Sequence, residues 1–194
     1  MAEEIRDLTD DAAILSVLER DRRWAAYALC DLEPPYRAHS RFVGALRDGH
    51  PVAVVLLYTP PTFTAMLPCG DTSGIGAIMA RVDKLPRSIF LLVRSADLPA
   101  VEMRYRVDSV WMMLRMTVAA DDLRPPPPVD AAIVALTGAD LPALQALYAL
   151  HPDTVFAPSM LQHGIYYGAY RDGELVAVAG THAISRRHRV AAIG

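Results

Sequence analysis

Several common functions find little support in this chain. None of its 194 residues sit in an uninterrupted apolar run long enough to cross a bilayer, so no membrane partner is expected. The first eleven residues are acidic and hold no apolar leader core, which makes a cytoplasmic location the expectation. Lys and Arg number 19 against 22 Asp and Glu, a net charge of -3, so no nucleic-acid surface is expected. Cysteine is scarce: Cys30 and Cys69 read as free thiols in a reducing compartment. The six histidines (His39, His50, His151, His163, His182 and His188) lack a tight ligand spacing such as HxxxH, so no metal is expected. The motifs GxSxG, CxxC and GxxxxGK[ST] are all absent, which leaves hydrolase, redox and P-loop readings without a footing.

What is present is core material. Hydrophobic residues make up 53% of the chain and charged residues 21%, enough for one large domain or two small ones. The stretch "AADDLRPPPPVDAA" is the clear linker, because four consecutive prolines join neither a helix nor a central strand. It divides the chain into 1–120, a linker at 121–130, and 131–194.

Before the linker, residues 10–30 read as a helix opened by Asp10 and Asp11 and closed by "DLEPPYRAH". Three strand-like runs follow, at 40–46, 51–59 and 62–68, the first two joined by the turn signal "RDGH". "CGDTSGIGAIMARVDKLP" reads as a glycine-bearing loop opening a helix over about 74–83. Strands are expected at 88–93 and 110–118, with a short helix or irregular crossover between them. After the linker come a strand at 131–137, a helix at about 140–150 capped by Asp140, and a short helix in "APSMLQHG". Two apolar runs then flank "RDGE" as a hairpin, and "RVAAIG" opens one more strand.

The two halves thus share one element order. That order resembles the GNAT superfamily of N-acetyltransferases, most sharply in "IVALTGADLPALQALYA", "GIYYGAYRDGELVAVAGTH" and "RVAAIG". The first half looks like a diverged copy, as in tandem-GNAT proteins. The resemblance implies an α/β (α+β) fold with a mixed sheet, and transfer of acetyl from acetyl-CoA to an amine. The acceptor would be a small molecule or a peptide amine. The family's phosphate loop, R/Q-x-x-G-x-G/A, cradles the pyrophosphate between the fourth and fifth strands. Free amides and the helix dipole favour an anion there.

By that resemblance the final strand stops at Gly194, ahead of the phosphate loop of its copy. The second copy is therefore expected to be a half domain, inactive as this 194-residue chain and inclined to pair, for instance as a homodimer. The first copy has its own loop, "DTSGIGA", with backbone donors at Ser73, Gly74, Ile75, Gly76 and Ala77. Asp71 departs from the family pattern and would repel phosphate. Tyr167 and His182 are the catalytic candidates, a strand tyrosine facing the acceptor and a histidine base at a strand end. Tyr166 and Tyr167 alternate across that strand, one facing the core and one the cleft, and Glu102 and Glu174 are isolated carboxylates, the latter in a solvated turn. The alternative is a non-catalytic GNAT-like binding or dimerisation module.

Overall fold

A computed structural model describes residues 3–60, 63–151, 154 and 156–193. The turn through Pro61, the strand start at Thr62 and the stop at Gly194 fall outside them. The protein is mixed α/β and divides into two compact units, Met1–Thr117 and Val118–Gly194.

The first unit runs β1 (Glu4–Leu8), α1 (Asp11–Leu18), α2 (Ala26–Cys30), β2 (Ser40–Arg47), β3 (His50–Tyr58), β4 (Ala65–Gly70), α3 (Thr72–Arg81), β5 (Phe90–Leu91) and α4 (Leu98–Glu102). Its sheet has the order β1-β2-β3-β4-β5. Neighbours are antiparallel except β4 and β5, which are parallel. α3 is the crossover that a parallel pair requires. β1 went unread in the sequence because "EIRDL" buries only Leu8 fully and carries three charges.

The expected single helix over 10–30 is broken in two. Asp10 caps α1 as expected, its carboxylate accepting from the Ala12 and Ala13 amides at 3.1 and 3.3 Å. A 3-10 turn follows at Glu19–Asp21. Asp21 Oδ1 then accepts from Trp24 N at 3.0 Å, and this local bond competes with helix continuation. The chain turns Trp24 inward, where its indole donates to Pro68 O at 2.7 Å.

β2 and β3 are buried along most of their length, covered by α1 and α3. Their turn puts Asp48 at φ 52° and Gly49 at φ 78°, the positive pair of a tight two-residue hairpin. One face of the sheet packs Val43, Val55, Leu57 and Met66 against Ile75, Ile78 and Met79 of α3. Gly74 lets that helix approach, since a Cβ there would sit 2.7 Å from Ala53 Cβ.

A buried carboxyl lies where α2 meets β2. The Ser40 hydroxyl donates toward Asp31 Oδ2 at 3.1 Å and toward Tyr36 O at 2.9 Å. Burial pushes the Asp31 carboxyl up to about 7, against the Ser40 bond, which lowers it. A raised pKa stabilises the fold below the unfolded value and loses that contribution as pH rises through the folded one. Asp31→Asn, neutral throughout, should therefore gain on the wild type as pH rises from about 4 to 7. The gain above pH 7 should be on the order of a few kcal/mol. Urea unfolding at pH 4.5 and pH 8 checks it; an equal gap at both pH values would refute the account.

The second unit runs β6 (Ala132–Ala135), α5 (Leu141–Ala149), α6 (Pro158–His163), β7 (Tyr166–Arg171), β8 (Glu174–Ser185) and β9 (Val190–Ile193). Its sheet is antiparallel, in the order β6-β7-β8-β9. It therefore repeats the first four strands and the paired helices of the first unit. The hairpin turns match too: Arg47–Asp48–Gly49 and Arg171–Asp172–Gly173 are the same tripeptide, with Asp172 at φ 51° and Gly173 at φ 82°. Asp140 does more than was expected of it. It lies in a 3-10 turn ahead of α5, where Oδ2 accepts from Thr137 N at 2.8 Å and Oδ1 accepts from the Tyr170 hydroxyl at 3.1 Å.

The core of this unit is small. Leu136, Leu144 and Tyr166 are its buried centre, with Phe156 edge-on to Tyr166. Gly180 passes so close under the Tyr166 ring that a Cβ there would lie 2.2 Å from Cε1.

Two expected strands are corrected. The run at 88–93 forms only the two-residue β5, and residues 110–118 form no strand. The first has a cause in β4. Leu92 N donates to Met66 O at 3.0 Å, and the next rung of a parallel ladder would need an amide from residue 68. Residue 68 is proline, so the ladder stops there.

Candidate functional site

Because the ladder stops, β4 and β5 part beyond Met66 and Leu92, and α3 begins at the mouth of the gap. A cleft opens there, lined by Leu18, Arg20, Trp24, Cys69, Gly70 and Arg94 among others. Each wall has a local origin. α1 ends beside it, the Asp21 turn brings in Trp24, and Arg94 follows β5.

The backbone of β4 alternates toward and away from β3. Asp71 N donates to Val52 O at 3.0 Å, so Gly70, opposite Ala53, directs its own N–H away from β3, toward the cleft. Gly70 has φ 101°, and a Cβ would lie 2.4 Å from Val52 O, so only glycine fits. The next donors are at the start of α3. Ile75 N is already donated to Asp71 O at 2.9 Å, which makes it the first bond of the helix. The amides without an intrahelical acceptor are those of Thr72, Ser73 and Gly74. The donor set expected at 73–77 thus moves toward the N-terminus: Gly76 and Ala77 lie deeper in the helix, and Ile75 is a core residue. A Cβ at Gly76 would meet only Met103 Cε at 3.9 Å and Ala100 Cβ at 4.0 Å, ordinary contacts, so its hydrogen is no steric necessity.

Asp71 is compensated. Arg47, at the end of β2, places Nη1 3.5 Å from Asp71 Oδ2, and its Nη2 donates to Ser73 Oγ at 3.1 Å and Glu3 Oε1 at 2.9 Å. Glu3 is held below the usual carboxylate range, chiefly by the Arg47 hydrogen bond. Sequence reading had no means of pairing residues 24 apart, so Arg47 was missed. The hydroxyl of Thr72 donates to Asp97 Oδ1 at 2.6 Å, which ties the helix start to the buried Asp97 that opens α4.

Two guanidinium groups lie over the Trp24 ring, Arg94 at 4.8 Å and Arg115 at 4.9 Å from its centroid. Arg94 also pairs with Asp21. Cys69 is buried, and desolvation pushes its thiol up to about 12, so no thiolate nucleophile is present at neutral pH. Cys30, also free, is pushed up to about 12 by burial first and the Asp31 carboxylate next.

The two catalytic candidates both belong to the second unit. Tyr167 lies on β7 opposite Ala179 and is exposed, while Tyr166 is its inward neighbour. His182 does not end its strand. β8 continues to Ser185, and His182 falls where the β8–β9 register shifts between Thr181 and Ala183. The residue is exposed as a whole, yet desolvation around the ring lowers its pKa below the ordinary histidine value. Glu174 is exposed but opens β8 opposite Arg171, just past the turn it was expected to occupy, and Glu102 is exposed at the end of α4. Among the described residues no group of three His, Cys, Asp or Glu could hold a metal ion, and no helix is long and apolar enough to cross a membrane. No family model matches the chain, and no curated protein and no solved structure matches it.

Proposed function

We propose that this protein is a GNAT-type, acetyl-CoA-dependent N-acetyltransferase whose first unit holds the acetyl-CoA. The observation that carries this reading is the cleft at the end of β4, past the short parallel β4–β5 ladder, whose wall includes Gly70 and Asp71, the residue that precedes α3. The proposed pyrophosphate cradle is the amides of Thr72, Ser73 and Gly74, at the positive end of the helix dipole. Arg47 offsets the Asp71 carboxylate that would otherwise repel it. The Gly70 N–H is the donor this reading assigns to the thioester carbonyl, where charge develops during transfer. With Cys69 held as a neutral thiol, the acceptor amine attacks the thioester directly and no acyl-cysteine forms.

A second reading has its own support. Asp21 and Asp71, the carboxylates lining the cleft, are each paired with an arginine. Neither is poised as a base, which favours an acetyl-CoA-binding module that does not turn over. Calorimetric titration of acetyl-CoA into the whole chain tests what both readings share. Micromolar binding is expected, and no binding would overturn both. Release of CoA thiol in the presence of amines then separates transfer from binding alone.

A further inference from the structure

Residues 110–118, "VWMMLRMTV", have the composition of a strand and no strand partner among the described residues. Every second side chain, Val110, Met112, Leu114, Met116 and Val118, is apolar, and they are exposed by 61%, 84%, 91%, 87% and 61%. Apolar groups scattered singly on a surface are ordinary; five in one period-two row are not. The other row is anchored at Arg115. Arg115 Nη1 donates to Trp24 O at 2.8 Å, and its guanidinium lies 5.3 Å from the Tyr27 ring. Trp111 and Met113 on either side of that anchor are exposed as well, by 71% and 73%, so the apolar row at 110, 112, 114, 116 and 118 is uncovered in the single chain.

The uncovered row identifies its own partner. It reads V-M-L-M-V, the same in both directions. An antiparallel copy centred on Leu114 would set Val110 against Val118, Met112 against Met116, and Leu114 against Leu114. That is the self-complementarity a two-fold interface requires. We propose that residues 110–118 are a dimerisation strand that pairs antiparallel with the same segment of a second copy of this chain.

Light scattering on the whole chain, from low to high micromolar concentration, tests it. A dimer is expected. Leu114→Asp would set two carboxylates face to face on the two-fold axis and should weaken the dimer by about 100-fold or more. At concentrations where the wild type is monomeric, thermal unfolding should be the same for both, because Leu114 is almost fully exposed in the single chain. Leu114→Cys should cross-link when a mild oxidant such as oxidised glutathione is added, Cys30 and Cys69 being buried. A wild type monomeric at every concentration would overturn the proposal. So would a dimer that survives Leu114→Asp, or one in which Leu114→Cys fails to cross-link.

Discussion

Ser73→Asp is expected to weaken acetyl-CoA binding by about 10- to 100-fold while leaving the fold as stable or slightly more so. The two effects separate because they have different origins. Ser73 is in the first turn of α3 and exposed, and its Oγ accepts from Arg47. A carboxylate in the first turn of a helix interacts favourably with the dipole, by about 0.3–1 kcal/mol. The same carboxylate would stand against the pyrophosphate that the Thr72, Ser73 and Gly74 amides are proposed to hold. At an effective dielectric of about 20, a like charge 5–6 Å away costs on the order of 3 kcal/mol, which salt reduces. Titration calorimetry and thermal unfolding on the same sample read both. Unchanged affinity would move the phosphate away from α3; a fall in stability alongside would mean the variant had damaged the helix.

The second unit is expected to unfold first, and Tyr166→Ala to unfold it at ambient temperature. Its buried centre holds three large side chains, Leu136, Leu144 and Tyr166. The first unit buries eleven residues in one cluster alone, from Val43 to Val101. Stability rises with buried apolar area, so the smaller core gives the lower transition. Removing a buried aromatic ring costs about 3–5 kcal/mol. Here the ring is also the surface on which Gly180 and Phe156 rest, so the cavity cannot close cheaply. Calorimetry should show two transitions in the wild type and only the upper one in Tyr166→Ala. A single transition moved as a whole would mean that the two units fold as one.

Much of this architecture was legible because turns and caps are local. "RDGH" and "RDGE" both form tight hairpins with positive φ at Asp and Gly, and Asp10 caps α1. α3 and α5 fall within two residues of their expected starts. What was missed depends on distant neighbours. β1 is a strand because β2 pairs with it, from Glu4 opposite Leu46 to Leu8 opposite Phe42. The break after α1 depends on Trp24 reaching Pro68, 44 residues away. "VWMMLRMTV" has every local mark of a strand and lacks only a partner to pair with among the described residues.

The proposed site shows the same division. The glycines at 74 and 76 were visible as a loop-to-helix signal. Their roles were not, since Gly74 answers to the Ala53 methyl, while at Gly76 a Cβ would make only ordinary contacts with Met103 and Ala100. The missed β1 also changes the count: with it, "DTSGIGA" follows a fourth strand, not a third. Arg47, the charge that makes Asp71 tolerable, comes from the far end of the β2 hairpin.

Amide hydrogen exchange with and without acetyl-CoA tests the central claim most directly, because it reads the proposed donors themselves. Protection is predicted at Gly70 and at Thr72, Ser73 and Gly74, with little change in β6 to β9. Protection confined to the second unit, or none in the first turn of α3 at saturating acetyl-CoA, would contradict the account.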